Sequence, residues 1–182
     1  MNPFIAEATS LGDLLRRSCK TFADRPAFFV PEKKEFRTVV YKDLWADTVK
    51  YAKGIDALGL KKGDRLCVIG ETAYEWAVLD WACQILGVVL VPIYPTLPDD
   101  QAQYIVSDSG AKVVVTSGPE HSKKVANMPG VRTLTYAGLA QEQSAIDDAE
   151  IGRRTDAVDR HDTATIIYTS GTTGKPKGVE LT

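Results

Sequence analysis

The chain has 182 residues, with 24 acidic against 22 basic side chains and a formal net charge of −2. It is 44% hydrophobic and 25% charged, the balance of a globular protein that buries a core, which excludes a disordered tail, a coiled coil and a collagen-like repeat. Near-neutrality also removes the clustered basic surface that a nucleic-acid binder needs.

The first ten residues have no basic start, and Glu7 interrupts their apolar run, so no signal peptide is expected. A helix is expected over 10–23, capped by Ser10, with Leu11, Leu14, Leu15, Ser18 and Phe22 on one face. Pro26 ends it, and 27–30 and 36–41 read as two strands around a charged turn at 32–35. From 43 to 58 the positions Leu44, Thr48, Tyr51, Ala52, Ile55 and Leu58 form a second helical stripe, which Gly59 terminates. Residues 61–64 are a turn, and 65–69 are a short apolar strand for the middle of a sheet.

After Gly70, Thr72-Ala73-Tyr74-Glu75 matches a capping box and opens a third helix. Its less apolar face is narrow (Ala73, Ala77, Asp80, Gln84), so the helix should be mostly buried, with Trp76 and Trp81 as packing residues. Gly87 closes it and 88–91 is the next strand. The stretch 76–95 is no membrane span, because Asp80, Gln84, Gly87, Pro92 and Pro95 interrupt the run of roughly 18 apolar residues that a span needs. A turn at 95–98, a helix near 99–107, a strand over 112–116, a weaker helix near 119–127 and a strand over 131–135 continue the alternation. That order predicts an α/β fold, a layered and mostly parallel sheet flanked by helices.

The character changes at 141–162, which is polar and reads as a solvated, partly helical connector, with Arg153-Arg154 a surface pair. The expected organisation is therefore an α/β subdomain over 1–140, this connector, and a strand–loop–strand unit over 163–182. Cys19, Cys67 and Cys83 form no C-x-x-C pair, and with His121 and His161 they form no cluster at metal-ligand spacing. Buried or half-buried reduced thiols and histidines on surface loops are expected, in a cytoplasmic protein.

The chemistry concentrates after the strand 165–168, in Thr169-Ser170-Gly171-Thr172-Thr173-Gly174-Lys175-Pro176-Lys177-Gly178. Three glycines, four hydroxyls and two lysines suit an anion: glycine lets backbone N–H groups approach oxygen, hydroxyls donate, and lysine balances charge. A polyphosphate fits this set best, against the plainer reading of a hairpin turn rich in small residues. It is not a Walker-A loop, because Pro176 stands where Ser or Thr should follow the lysine, and Gly178-Val179-Glu180-Leu181 favours a strand over a helix. G-x-G-x-x-G is also absent. The loop is thus expected to join two strands.

The segment from Tyr168 to Val179 resembles the phosphate-loop signature of the adenylate-forming (AMP-binding) superfamily of acyl-CoA synthetases, luciferases and adenylation domains. The resemblance extends to Leu14–Arg17 with Pro26-Ala27, to 59–64, to Glu75-Trp76 and Gly87, to Val91-Pro92, and to Asp108-Ser109-Gly110-Ala111-Lys112. Pro92-Ile93-Tyr94-Pro95-Thr96-Leu97 with Ile167-Tyr168-Thr169 is most similar to long-chain fatty acid–CoA ligases.

The resemblance implies a two-step reaction in which a fatty carboxylate attacks the α-phosphate of ATP and CoA then displaces AMP. By motif position Ser170, Gly171, Thr172, Thr173 and Gly174 would cradle the β- and γ-phosphates. Lys177, the candidate catalytic group, would pair with them, Lys175 would be a further cofactor-binding residue, and Thr169 would bind nucleotide and reach Mg²⁺ beside a downstream glutamate. The adenine pocket, acyl tunnel and C-terminal domain of such enzymes lie beyond this loop.

The expectation is therefore an incomplete, N-terminal portion of the fold, with pyrophosphate exchange at background for this chain alone. The alternative is a non-catalytic module that binds nucleotide, lipid or a partner. The expected partners are ATP, fatty acid and CoA, with no transmembrane segment and at most peripheral membrane contact. Open strand edges would favour self-association, giving dimers or partial disorder after about Asp148.

Overall fold

The structure, a computed structural model, describes residues 3–169 and 175–182. In chain order the elements are α1 (Pro3–Ala6), α2 (Leu11–Thr21), β1 (Pro26–Glu32), β2 (Glu35–Val40), α3 (Tyr41–Ala57), β3 (Arg65–Ile69), α4 (Tyr74–Leu86) and β4 (Val89–Ile93). Then follow α5 (Asp99–Ser109), β5 (Val113–Thr116), α6 (Pro119–Lys123), β6 (Arg132–Thr135), α7 (Tyr136–Leu139), α8 (Asp148–Asp156), β7 (Thr165–Thr169) and β8 (Lys177–Leu181). β1 and β2 form a separate antiparallel hairpin. The other six strands form one sheet in the order β6-β5-β3-β4-β7-β8, parallel except for β7 with β8.

Strand alternation splits the core in two. Leu66, Val68, Leu90, Val113 and Val115 face one side and pack with residues of α2, α3, α4, α7 and α8. Cys67, Ile69, Val91, Ile93 and Val114 face the other, against Ala102, Ile105 and Val106 of α5. Because both faces of β3, β4 and β5 are covered, these strands read as unbroken apolar runs.

The helices begin and end for local reasons. Ser10 Oγ accepts from the Asp13 amide at 3.1 Å at the start of α2. Gly87 and Gly110, both at φ 67°, end α4 and α5 in the left-handed conformation that glycine adopts without steric cost. Asp13 is 3% exposed, and burial alone would push its carboxyl up. Hydrogen bonds from Arg16 and Arg17 and from the Thr9 amide more than offset this and hold it below the usual range.

Several expectations need correction. The capping box does not form: Ala73, not Thr72, is the N-cap of α4, with no side-chain bond. Gln84, expected on the polar face, is buried, because its Nε2 donates to Asp80 Oδ1 at 3.0 Å and to the Ala164 carbonyl at 3.3 Å. Within the polar stretch 141–162, α8 buries Ile151 and Thr155, and Thr155 Oγ1 donates to the Ile85 carbonyl at 3.0 Å, so this helix is docked on α4.

Arg153 and Arg154 face carboxylates: both pair with Glu150, and Arg154 also binds Asp56 at 2.6 Å. Beyond Asp148 the chain forms α8, β7 and β8 as regular elements. No helix among the described residues is long and apolar enough to cross a membrane.

Candidate functional site

β4 holds the key to the site. Leu90 turns its backbone N–H and C=O toward β7, donating to the Ala164 carbonyl at 3.2 Å and accepting from Thr165 Oγ1 at 2.7 Å. Two residues on, the same edge is presented by Pro92, which has no N–H to give. The β4–β7 ladder accordingly has the single register pair Leu90↔Thr165. Past that pair the carboxyl ends of β3, β4 and β7 border a cavity of about 500 Å³, lined by Glu71, Trp76, Pro92, Tyr94 and Ile167 among others.

This is where open α/β sheets bind ligands: outside the carboxyl ends of strands whose following connections leave on opposite faces. Here β3 is followed by α4 on one face and β4 by α5 on the other. Trp76, read from sequence as core packing first and a ligand contact a distant second, is half-buried and borders this cavity.

β7 and β8 carry the sequence motif. Their antiparallel register pairs Thr165↔Leu181 through Thr169↔Lys177, so Thr169 and Lys177 are direct cross-strand neighbours at the mouth of the hairpin. By strand alternation both share the face of Ile167, which lines the cavity, and both are exposed. As expected, strands flank the motif on both sides: β7 precedes it, and β8 follows where a Walker-A loop would start a helix. Ser170, Gly171, Thr172, Thr173 and Gly174 lie outside the described residues.

The opposite face of the hairpin is tied to α5. Tyr168 Oη donates to Asp108 Oδ2 at 2.6 Å and Tyr104 Oη to Asp108 Oδ1 at 3.2 Å. Burial, and then the Asp108 carboxylate, push the Tyr168 phenol well above its usual range. Lys175 sits with Nζ 5.1 Å from the centroid of the Tyr104 ring. Gly178 opposes Tyr168 in the ladder, and a Cβ there would lie 2.8 Å from Ile166 Cγ2 and 3.0 Å from Tyr168 Cζ, which explains the glycine. The motif flagged Lys175 and Gly178, and the resemblance included Asp108, but nothing in the sequence joined Asp108 and Tyr104 to Tyr168 and Lys175.

His121 is not a loop residue. It lies on α6, where Nδ1 is 2.9 Å from Ser117 Oγ and Nε2 is 3.3 Å from Glu71 Oε1. The Glu71 carboxyl is held low by its own backbone amide, by Ser117 and by His121. His161 is exposed in the turn before β7. All three cysteines are free and buried; burial pushes Cys19 up to about 11 and Cys67 up to about 12, so neither is a nucleophile near neutral pH.

No group of three or more His, Cys, Asp or Glu among the described residues is placed to hold a metal ion. Thr169 supplies one neutral oxygen, whereas Mg²⁺ is held by carboxylates together with substrate phosphates. The described residues therefore do not form a magnesium site of their own.

The family model for AMP-binding enzymes matches residues 15–182. Long-chain-fatty-acid–CoA ligase FadD15 of Mycobacterium bovis is 39% identical over 144 residues, which are 72% of this chain and 24% of the ligase. O-succinylbenzoate coenzyme A synthetase from Bacillus subtilis in complex with AMP superposes with a TM-score of 0.78 at 28% identity, over 92% of this chain and 41% of that one. The same synthetase in complex with ATP and magnesium ion gives 0.77 at 26% identity, over 92% and 42%. The chain spans about a quarter of the length of the ligase it matches.

Proposed function

The chain belongs to the AMP-binding enzyme family, and on that footing we propose that it supplies the ATP-phosphate-binding unit of a long-chain fatty acid–CoA ligase. One observation carries the reading: Thr169 and Lys177 stand opposite each other at the mouth of a hairpin on the carboxyl edge of the sheet, beside a cavity that Pro92 opens. The likeness to FadD15 supports the choice of acid. The synthetase in complex with ATP and magnesium ion supports the nucleotide.

In this reading Ser170, Gly171, Thr172, Thr173 and Gly174 hold the β- and γ-phosphates through backbone amides and hydroxyls, and Lys177 acts on them directly. The carboxylate oxygen bonds to the α-phosphorus, and the bond from that phosphorus to the α–β bridging oxygen breaks. The electron pair leaves with pyrophosphate, where Lys177 offsets the growing negative charge. In the second step the CoA thiol gives up its proton to solvent, its sulfur bonds to the acyl carbon, and AMP leaves with the electrons of the acyl–oxygen bond. Thr169 contributes one oxygen near the phosphates, and no step is assigned to a protein-held ion. Three buried, unbridged thiols suit a reducing cytoplasm.

Since the chain covers 24% of the ligase and 42% of the ATP-bound synthetase, the acid pocket and the thioester step are assigned outside these residues. The 182 residues alone are accordingly expected to show background turnover. The test uses the protein expressed from its complete reading frame: palmitate-dependent exchange of labelled pyrophosphate into ATP, with Lys177→Ala as control. Exchange that requires acid and Lys177 supports the reading. ATP binding with no exchange for any carboxylic acid would overturn it in favour of a non-catalytic module.

A further inference from the structure

We propose that Asp108 is a positioning residue for the phosphate-binding hairpin, one carboxylate fixing Tyr168 at the loop's entry and, through the Tyr104 ring, Lys175 at its exit. The inference rests on the phosphate-loop reading and adds to it a support on α5.

The need for such a support follows from the sheet. β7 is joined to β4 at Thr165 only, four residues before the loop, and β8 has no neighbour other than β7 among the described residues. The mouth of the hairpin is therefore not held by a ladder to the sheet. The contacts that replace it converge on α5, where Tyr104 and Asp108 are one turn apart and so face the same way. Both Asp108 oxygens are used, one by each phenol, at 2.6 Å and 3.2 Å. Lys175, 5.1 Å from the Tyr104 centroid, lies within cation–π range, below about 6 Å. Residues on both sides of 170–174 are thus bound to the same helix.

Binding a ligand costs conformational freedom of the residues that hold it. Fixing Tyr168 and Lys175 on α5 beforehand lowers that cost and so tightens binding. The division of faces also gives the two lysines different work. Lys177 shares the cavity face with Thr169, whereas Lys175 is engaged on the α5 side as an anchor.

The test measures ATP binding and the separate KM values for ATP and palmitate in the protein from its complete reading frame. Asp108 is exposed on its helix, so Asp108→Ala should fold normally. It should raise the KM for ATP about tenfold, the effect of losing its charge-assisted hydrogen bonds, and leave the KM for palmitate unchanged. Tyr168→Phe, which removes only the shorter of the two Asp108 bonds, should raise it by a smaller factor, and the double variant should be no worse than Asp108→Ala, which already lacks that bond. Tyr104→Leu should weaken ATP binding more than Tyr104→Phe, which keeps the ring beside Lys175.

An unchanged KM for ATP in Asp108→Ala, with wild-type ATP binding intact, overturns the clamp and leaves the loop reading standing. Parallel rises in both KM values with a lowered melting temperature would mark a merely structural contact and overturn it too. Absence of ATP binding by the wild-type protein overturns the loop reading and the clamp together.

Discussion

The β1–β2 and β7–β8 hairpins share one local architecture and differ in attachment. β1 and β2 pair out to Glu32↔Glu35 and turn at once through Lys33, whose φ is 55°. Their inner face packs Phe28 edge-on against Tyr74, with centroids 5.5 Å apart, and buries Val39; their outer face leaves Phe29 and Phe36 64% and 67% exposed. This hairpin stands apart from the six-stranded sheet. β7 and β8 instead extend that sheet, and their connection is longer than pairing requires.

The difference lies in the turn and in the pair that borders it. A tight turn spends its backbone groups on itself. In the second hairpin the cross-strand pair Thr169↔Lys177 sets two polar side chains at a fixed separation at the carboxyl edge of the sheet, where the proposed reading puts the phosphates.

The strongest way to break the second hairpin is Gly178→Val. The added Cβ would meet Ile166 Cγ2 at 2.8 Å and the Tyr168 ring at 3.0 Å. Overpacking of this kind costs about 1–3 kcal/mol. Calorimetry should show a lowered melting temperature together with lost ATP binding. An unaltered melting temperature would mean that the Tyr168 ring yields freely, and the second hairpin would then be no more tightly held than the first.

Lys177→Ala should leave the fold alone, since the side chain is exposed. It should slow adenylation about a hundredfold, the usual effect of removing one preorganised charge partner. Thioester formation from ready-made acyl-adenylate should stay at the wild-type rate. If that half-reaction fell instead, the role given to Lys177 would be wrong.

Most of the first hairpin and of the parallel sheet was legible in the sequence because their signals are local. The alternation of strand and helix, the terminating Gly87 and the apolar run Arg65–Ile69 all came from neighbouring residues. The second hairpin was legible only in its chemistry. Its strands and loop stood out, but the contacts that hold it join residues far apart in sequence, Tyr168 to Asp108 and Lys175 to Tyr104. No periodicity encodes such pairs.

The same holds for α8, whose polar composition hid the burial of Ile151 and Thr155. Pro92, which interrupts the apolar stretch 76–95 and belongs to the resemblance, is also a local clue to the cavity. A proline inside a central strand means that one neighbour cannot pair there, and that gap is the cavity.

Asp80 sharpens the comparison through pH. It accepts from Gln84, whose amide also reaches the Ala164 carbonyl at the entry to β7, so it belongs to the anchorage of the second hairpin. Burial pushes its carboxyl above the ordinary value of 3.8. A carboxyl whose folded pKa is raised favours the folded state when protonated, and that stability is lost as pH rises through the window between the ordinary and raised values. Asp80→Asn removes this loss while keeping an acceptor for Gln84. It should stabilise the protein at pH 7, with the gain shrinking as pH falls toward 4. A constant difference between variant and wild type across that range would show that the carboxyl titrates normally.

The smallest effect is expected on the outer face of the first hairpin. Phe29 and Phe36 share that face, because Phe29 and Pro31 alternate to the same side and Pro31 opposes Phe36. Exposed as they are, they bury little area on folding, and the ladder beneath them relies on backbone bonds and on the inward Phe28, Val30 and Val39. Phe29→Ser and Phe36→Ser should each change stability by no more than about 0.5 kcal/mol, as is usual for exposed positions. Neither should move the KM for ATP, because β1 and β2 pair with no strand of the sheet that carries the site. Urea denaturation and ATP kinetics on the same preparations test both claims. A loss above about 1 kcal/mol would mean that the outer ring faces are covered in the complete protein, since hydrophobic stabilisation scales with the apolar area removed from water.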